Sequence, residues 1–367
     1  MVGVIYGTTG ELIKLAPLIA ELEARGSRPL LWCTGQQAEQ IPSFQRGLGL
    51  PEVDLWLAHG SRGHDLVMKR QIPRWVSRAS VALLSRRGRL RRQLASPGTP
   101  FLLVHGDTMT TVFGALAGKA LQVPVGHVEA GLRSGDWRDP FPEEINRRLV
   151  GRLVDVNYAP GAAAVANLAG EHVRGEIIDT RQNTVRDALE LALDRTAVGV
   201  DVPDEPFGLV SIHRFELIER EQLLEPLLMV LREHSRSQPL LFVDHSTTRA
   251  VIEGSATLQA LFDDRFRRIP RQPYLQFIAL MRRAEFLVSD SGGSQEESAM
   301  MGLPCLIHRA VSEREAGIGS TVVLSGLDLD VVRRFLTDPS RRRTGVVEAN
   351  LHPSRLIVDD LARRGVV

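Results

Sequence analysis

Residues 103–146 constrain the fold of this chain more than any other stretch. They read LVHGDTMTTVFGALAGKALQVPVGHVEAGLRSGDWRDPFPEEIN. An apolar run closes on His105-Gly106-Asp107-Thr108, a helical stretch follows, and a second apolar run at 123–128 closes on Glu129-Ala130-Gly131. Strand, helix, strand is the unit of a parallel sheet, and open parallel sheets bind ligands beyond the carboxyl ends of their strands. Acidic residues stand at both of those ends, and Glu143-Glu144 follow soon after. Three separated carboxylates beside one crevice point to proton chemistry.

The same alternation runs through the rest of the chain. Residues 1–6 form an apolar strand, Gly7-Thr8-Thr9-Gly10 a turn, and 11–24 a helix with Leu12, Leu15, Leu18, Ile19 and Leu22 on one stripe. Pro17 within that stripe predicts a kink or an early helix start. Further strands are expected at 29–33, 101–104, 123–128 and 154–158. After the Pro/Asp-rich stretch 202–206 a second series begins, with strands at 208–212, 239–243, 286–288 and 304–307 and helices at 220–233, 274–283 and 296–301. At 367 residues the chain exceeds what one core accommodates comfortably. It therefore reads as two similar α/β halves meeting near 165–205, with a ligand crevice between them.

Composition narrows the partners. The net charge of +1 gives no global field for nucleic acid or membrane, and neither is expected as a partner. The basic runs at 86–92 and 341–343 read as solvated faces. Cys33 and Cys305, the only cysteines, exclude a disulfide framework and a metal-binding cysteine pair, and both read as core thiols. No apolar run reaches spanning length and no signal sequence opens the chain, so a cytoplasmic location is expected.

Anion-binding features complete the pattern. The turn at Gly7-Thr8-Thr9-Gly10 can point backbone N–H groups at an anion, with Lys14 one turn further on. It lacks the dinucleotide-binding glycine spacing and the P-loop lysine. In the second half, Ser289-Asp290-Ser291-Gly292-Gly293-Ser294-Gln295-Glu296-Glu297 joins a strand to a helix. Ser291, Gly292 and Gly293 suit close approach of a phosphate, and Glu297 one of ribose hydroxyls. Ser294 with Glu297 also fits a capping box. His213-Arg214 ends another strand, and an arginine fork suits a diphosphate. Arg309 and Arg314 add charge after the strand at 304–307.

With those residues in view, the chain resembles the non-hydrolysing UDP-N-acetylglucosamine 2-epimerases. The resemblance is carried in order by GTTGELIKLAP from Gly7, HGDTMTT from His105, PVGHVEAGLRSGD from Pro124, PFPEEINR from Pro140, NTVRDAL from Asn183, HRFE from His213 and SDSGGSQEESAMMGLPCL from Ser289. Hydrolysing relatives usually have arginine after the Gly-Asp pair and lack the PEEINR block, so Thr108 and residues 142–147 favour the non-hydrolysing branch. The resemblance implies two Rossmann-like domains in a GT-B arrangement with the active site in the interdomain cleft. The first domain would be 1–170, joined by a C-terminal helix at about 352–367, and the UDP-binding domain 171–351. It implies a homodimer, a UDP-sugar substrate, and no cofactor or metal.

In that family UDP leaves by anti elimination with loss of the carbon 2 proton, giving 2-acetamidoglucal. Re-addition of UDP then delivers a proton to the other face of carbon 2. By resemblance Asp107, Glu129 and Glu143 are the catalytic carboxylates, and His213 joins them in the catalytic set. Lys14, His213 and Arg314 support the diphosphate, with Arg133 and Arg214 as further substrate contacts. Ser291, Gly292, Gly293 and Glu297 match the nucleotide turn and ribose contact, while Gln272 and Phe277 lie in the block around the uracil. The alternatives are a 2-epimerase of a modified UDP-N-acetylhexosamine, a hydrolysing 2-epimerase, a GT-B glycosyltransferase and a non-catalytic UDP-sugar binder.

The chain departs from the family at defined points. Thr9 and Gly10 replace the Arg-Pro of the usual first turn, and Phe215 replaces an arginine after His213-Arg214. Glu315 stands where a proline usually follows Arg314. Gln36-Gln37-Ala38 replaces a Gln-His-Arg associated with a second, allosteric UDP-GlcNAc, so altered or absent substrate activation is expected.

Overall fold

The computed structural model describes residues 1–60, 71–95, 98–136, 141–194, 202–218, 220–346 and 350–367, without the side chains of Phe215 and Glu221. It divides into one unit of Met1–Leu191 with Leu351–Val367, and a second of Ala192–Asn350. Each is a parallel sheet with helices between its strands, an α/β fold.

Among the described residues, the first sheet contains β1 (Val2–Tyr6), β2 (Leu30–Cys33), β3 (Leu55–Trp56), β4 (Phe101–His105), β5 (Val125–Val128), β6 (Val156–Ala159) and β7 (Glu176–Asp179). Their order across the sheet is β3-β2-β1-β4-β5-β6-β7. Every residue of β1, β4, β5 and β6 is buried, as expected for parallel strands covered on both faces. The order reverses between β1 and β4. Loops leaving these two strands therefore separate to opposite faces and open a crevice at the carboxyl edge. Lys14 follows β1, Asp107 follows β4 and Glu129 follows β5, so the topology gathers all three at one edge.

The second sheet repeats the device with β8 (Gly208–Ser211), β9 (Leu240–Asp244), β10 (Phe266–Pro270), β11 (Phe286–Ser289), β12 (Cys305–Ile307) and β13 (Val322–Leu324). The order is β10-β9-β8-β11-β12-β13, so its reversal lies between β8 and β11. Those strands deliver His213-Arg214 and Asp290-Ser291-Gly292 side by side.

Local details correct several expectations. The first helix spans Thr9–Ala24, starting before residue 11 and continuing through Pro17. Thr8 caps it in a complete capping box with Glu11. The helix expected at 296–301 begins at Gly292, because Ser291 rather than Ser294 is the cap: Ser291 Oγ accepts from the Ser294 N–H at 3.4 Å. The first unit continues past residue 170, because β7 pairs with β6 and the helix Val185–Leu193 packs with this unit. The helix Pro353–Arg363 also belongs there: Tyr158 Oη donates to Asp360 Oδ2 at 2.8 Å, and Arg25 pairs with Asp359 at 2.7 Å. Cys33 and Cys305 are buried, and the arginines of 86–92 face solvent. Among the described residues, no helix is long and apolar enough to cross a membrane.

Candidate active site

Glu129 and Asp107 are each paired with a cation. Lys14 Nζ lies 2.5 Å from Glu129 Oε2, and Asn183 Nδ2 donates to the same oxygen. Glu129 is only 6% exposed and has a φ of 70°, a left-handed backbone that costs a residue with a side chain about 1 kcal/mol. Such strain at a polar crevice marks a position held for its side chain. Asp107 accepts from Arg147 Nη2, and its own carbonyl accepts from Asn146 Nδ2 at 2.8 Å. Both donors sit on the helix Glu143–Leu153, so the helix that begins with Glu143 is docked on the Asp107 loop. Glu143 opens that helix, at an N-terminus that favours its charge.

Two buried histidines underlie this edge. Desolvation lowers the His105 imidazole to about 3 and the His127 imidazole to about 4, so both are neutral at physiological pH. His127 Nε2 donates to the Gly106 carbonyl at 2.6 Å and fixes the bend before Asp107. His105 Nε2 lies 3.8 Å from Glu129 Oε2, and neither His105 ring nitrogen has a hydrogen-bond partner among the described residues.

Arg133 has a different setting from the one expected of a substrate contact. Its guanidinium donates to Glu171 at 2.8 and 2.9 Å and to the Leu132 carbonyl at 2.7 Å. It also faces the fully buried Glu144, which binds Arg147 at 3.1 Å. Glu144 thus links Arg133 to the arginine on Asp107.

The first turn is also arranged differently from an anion cradle. The N–H groups of Gly7 and Thr8 both donate to Glu11 Oε2 at 2.8 Å, so the protein's own carboxylate occupies the donors. Thr108 Oγ1 closes the other side of Glu11 at 2.7 Å. Burial raises the Glu11 carboxyl, and these hydrogen bonds oppose the shift. Thr9 donates through N and Oγ1 to Gln37 Oε1 at 2.8 and 2.9 Å, while Gln36 Oε1 accepts from Thr110. The departures at Thr9 and at Gln36-Gln37 therefore meet one another and tie two loops together.

In the second unit, Asp290 is the organising residue that motif reading passed over. Fully buried, it accepts from the His213 N–H at 2.9 Å and the Arg214 N–H at 2.8 Å. It pins the β8 loop against the β11 loop. Desolvation, then the charges of Arg214 and Arg271, lowers the His213 imidazole, so a neutral ring is presented beside His245 at 4.6 Å between centroids. Gly292 has a specific steric reason: a Cβ there would stand 2.5 Å from Arg314 Nε and 2.9 Å from its Cδ. Arg314 passes over the helix N-terminus and pairs with Glu296 at 2.5 Å. Its loop is held by Gln295, which donates to the Arg314 carbonyl at 2.9 Å. Arg309 is turned away into a buried pair with Glu313 at 2.7 Å.

Glu297 is buried on the same helix, next to Tyr274, whose phenol is raised by desolvation and then by the Glu297 charge. Tyr274 opens the helix Tyr274–Arg283, which places Phe277 on that helix and Gln272 in the preceding loop, its Nε2 donating to the Pro270 carbonyl at 2.6 Å. Gly293 is uncrowded: a Cβ there would stand 3.8 Å from Ser291 Oγ, an ordinary van der Waals contact. The Phe215 side chain and Pro140 fall outside the described residues.

A sequence model described as UDP-N-acetylglucosamine 2-epimerase matches residues 20–336. The chain belongs to the UDP-N-acetylglucosamine 2-epimerase family. The UDP-N-acetylglucosamine 2-epimerase of Yersinia pestis is 32% identical, over 91% of this chain and 90% of its own. The Bacillus subtilis enzyme of that name is 30% identical over 97% and 93%. Among solved structures, the Methanocaldococcus jannaschii UDP-GlcNAc 2-epimerase in complex with UDP-GlcNAc and UDP is 25% identical with a TM-score of 0.80, covering 99% of both chains. The Neisseria meningitidis UDP-GlcNAc 2-epimerase bound to UDP-GlcNAc is 26% identical, also with a TM-score of 0.80 and 99% coverage of both chains.

Proposed function

We propose that this family member is a non-hydrolysing 2-epimerase that interconverts UDP-GlcNAc and UDP-ManNAc in the cytoplasm. The observation that carries this reading is the pair of carboxylates at the ends of adjacent strands, Asp107 with Arg147 and Glu129 with Lys14. A separate cation on each lets two carboxyl groups exchange protons independently. One removes the proton on carbon 2. The C–H electron pair forms the carbon 1–carbon 2 double bond as the bond from carbon 1 to the diphosphate oxygen breaks. UDP re-adds to carbon 1 while a proton reaches carbon 2 from the other face.

Glu143 joins the proton-transfer set from the N-terminus of its helix. His213, Arg214 and Arg314 bind the diphosphate, where donors strengthen as charge develops on the leaving group. Ser291, Gly292, Gly293 and Glu297 hold the nucleoside end, with Gln272 and Phe277 at the base. A homodimer is part of the proposal. The exposed apolar stripe of Phe141, Ile145 and Leu149, at 58%, 38% and 43% exposure, suits a self-contact, and light scattering on the purified protein tests it.

The deciding experiment is incubation with UDP-GlcNAc in deuterated water, followed by NMR. UDP-ManNAc carrying deuterium at carbon 2 is the expected product. Free ManNAc with UDP would instead establish hydrolysis, and an inert protein would exclude UDP-GlcNAc as substrate.

A further inference from the structure

The chain leaves its first unit after Leu191 and returns to it at Leu351. Two helices stand at the crossings: Val185–Leu193, whose last turn contains the first, and Pro353–Arg363, which follows the second. Asp187 joins them. Its Oδ2 accepts from the Ser354 N–H at 2.7 Å, providing a cap that the side chain of His352 does not. Its Oδ1 is buried without a hydrogen-bond partner among the described residues and lies 3.5 Å from His352 Nδ1. The same Nδ1 lies 3.4 Å from Glu190 Oε2.

These separations are long for hydrogen bonds. They match the edges of a tetrahedron whose metal–ligand bonds are about 2.1 Å. Among the described residues, this is a group of three donors whose ligand atoms all lie within 4.8 Å of one another. The neighbouring contacts leave the converging atoms available. Arg186 pairs with Glu190 through Oε1, not Oε2, and Ser354 uses Asp187 Oδ2, not Oδ1.

We propose that Asp187 Oδ1, Glu190 Oε2 and His352 Nδ1 bind one divalent transition-metal ion of the zinc class, clamping the helix Pro353–Arg363 to the helix Val185–Leu193. One imidazole with two carboxylates selects such an ion over magnesium or calcium, which favour all-oxygen sites. A fourth position is left for water. Asp187 and Glu190 lie one helical turn apart, but His352 comes from a segment far away in sequence, so the pair alone does not betray the site.

The test uses tag-free full-length protein, cleared of metal with a chelator and dialysed, then titrated with Zn²⁺ in a calorimeter. One ion per chain is expected, with a rise in melting temperature and no competition from Mg²⁺. His352→Ala and Glu190→Gln should each weaken binding by roughly 10- to 100-fold or more. Co²⁺ should give a visible absorption band in the wild type that His352→Ala loses. His352 is 47% exposed at its side chain, so its replacement leaves the core intact. A wild-type protein that binds no zinc, or variants that bind it as tightly as the wild type, would overturn the proposal.

Discussion

Lys14, on the helix after β1, holds Glu129 at the end of β5 with an Nζ–Oε2 distance of 2.5 Å. The contact spans two strand positions and reaches a carboxylate side chain that is 4% exposed. A buried carboxylate without its cation is costly, so Lys14 offsets the burial of Glu129.

Lys14→Met is therefore expected to lower kcat by about 100-fold, the scale of a disabled acid–base group. UDP binding should change much less. Steady-state kinetics and calorimetry with UDP separate the two effects; an equal loss in both would assign Lys14 to ligand binding alone.

Asp107→Asn retains the size of the side chain on Arg147 but removes its proton chemistry. Turnover should fall by about 10³-fold or more, with the Kd for UDP within a few-fold of wild type. Carbon 2 deuterium exchange should vanish in parallel. An active variant would remove Asp107 from the mechanism.

Gly292→Ala places a methyl group 2.5 Å from Arg314 Nε, which must then shift away from the helix N-terminus. The expected result is UDP binding weakened by about tenfold, equivalent to roughly 1.4 kcal/mol. The melting temperature should stay near wild type, because Gly292 sits at a helix start. Unchanged UDP affinity would show that Arg314 does not contact the diphosphate.

His127 makes stability depend on pH. Its imidazole is lowered to about 4 when folded and returns to about 6.5 when unfolded. Between those values the unfolded chain binds a proton that the folded one does not, so stability rises with pH. The contribution is complete above about 6.5 and is lost as pH falls toward 4, a difference on the order of a few kcal/mol. His105, lowered to about 3, acts in the same direction. Urea unfolding at pH 7.5 and pH 5 should show a smaller difference in His127→Gln than in the wild type.

The interior strands were legible from sequence, and the edges were not. Continuous apolar runs identified β1, β2, β4, β5 and β6, and again β8, β9, β11 and β12. The four strands not identified, β3, β7, β10 and β13, are the outermost strands of the two sheets; β3 (LW) and β13 (VVL) are apolar but only two and three residues long. The other two carry charged residues, which an edge strand tolerates because it is covered less completely: β7 reads EIID and β10 reads FRRIP.

The sequence by itself determined the alternation of strand and helix, the family, and the acidic residues that close β4 and β5. These follow from local chemistry, because a run of apolar residues or a Gly-rich turn declares itself within a few positions. Only the tertiary structure decided how those residues are used. It filled the first turn with Glu11, committed Arg133 to Glu171, moved the helix cap from Ser294 to Ser291, and brought Lys14 and Asn183 to one oxygen of Glu129. The contacts of Arg133, Lys14 and Asn183 join residues far apart in sequence, and strand order settles these where spacing along the chain cannot; the Glu11 and Ser291 contacts are local, chosen among several polar side chains that all lie within reach.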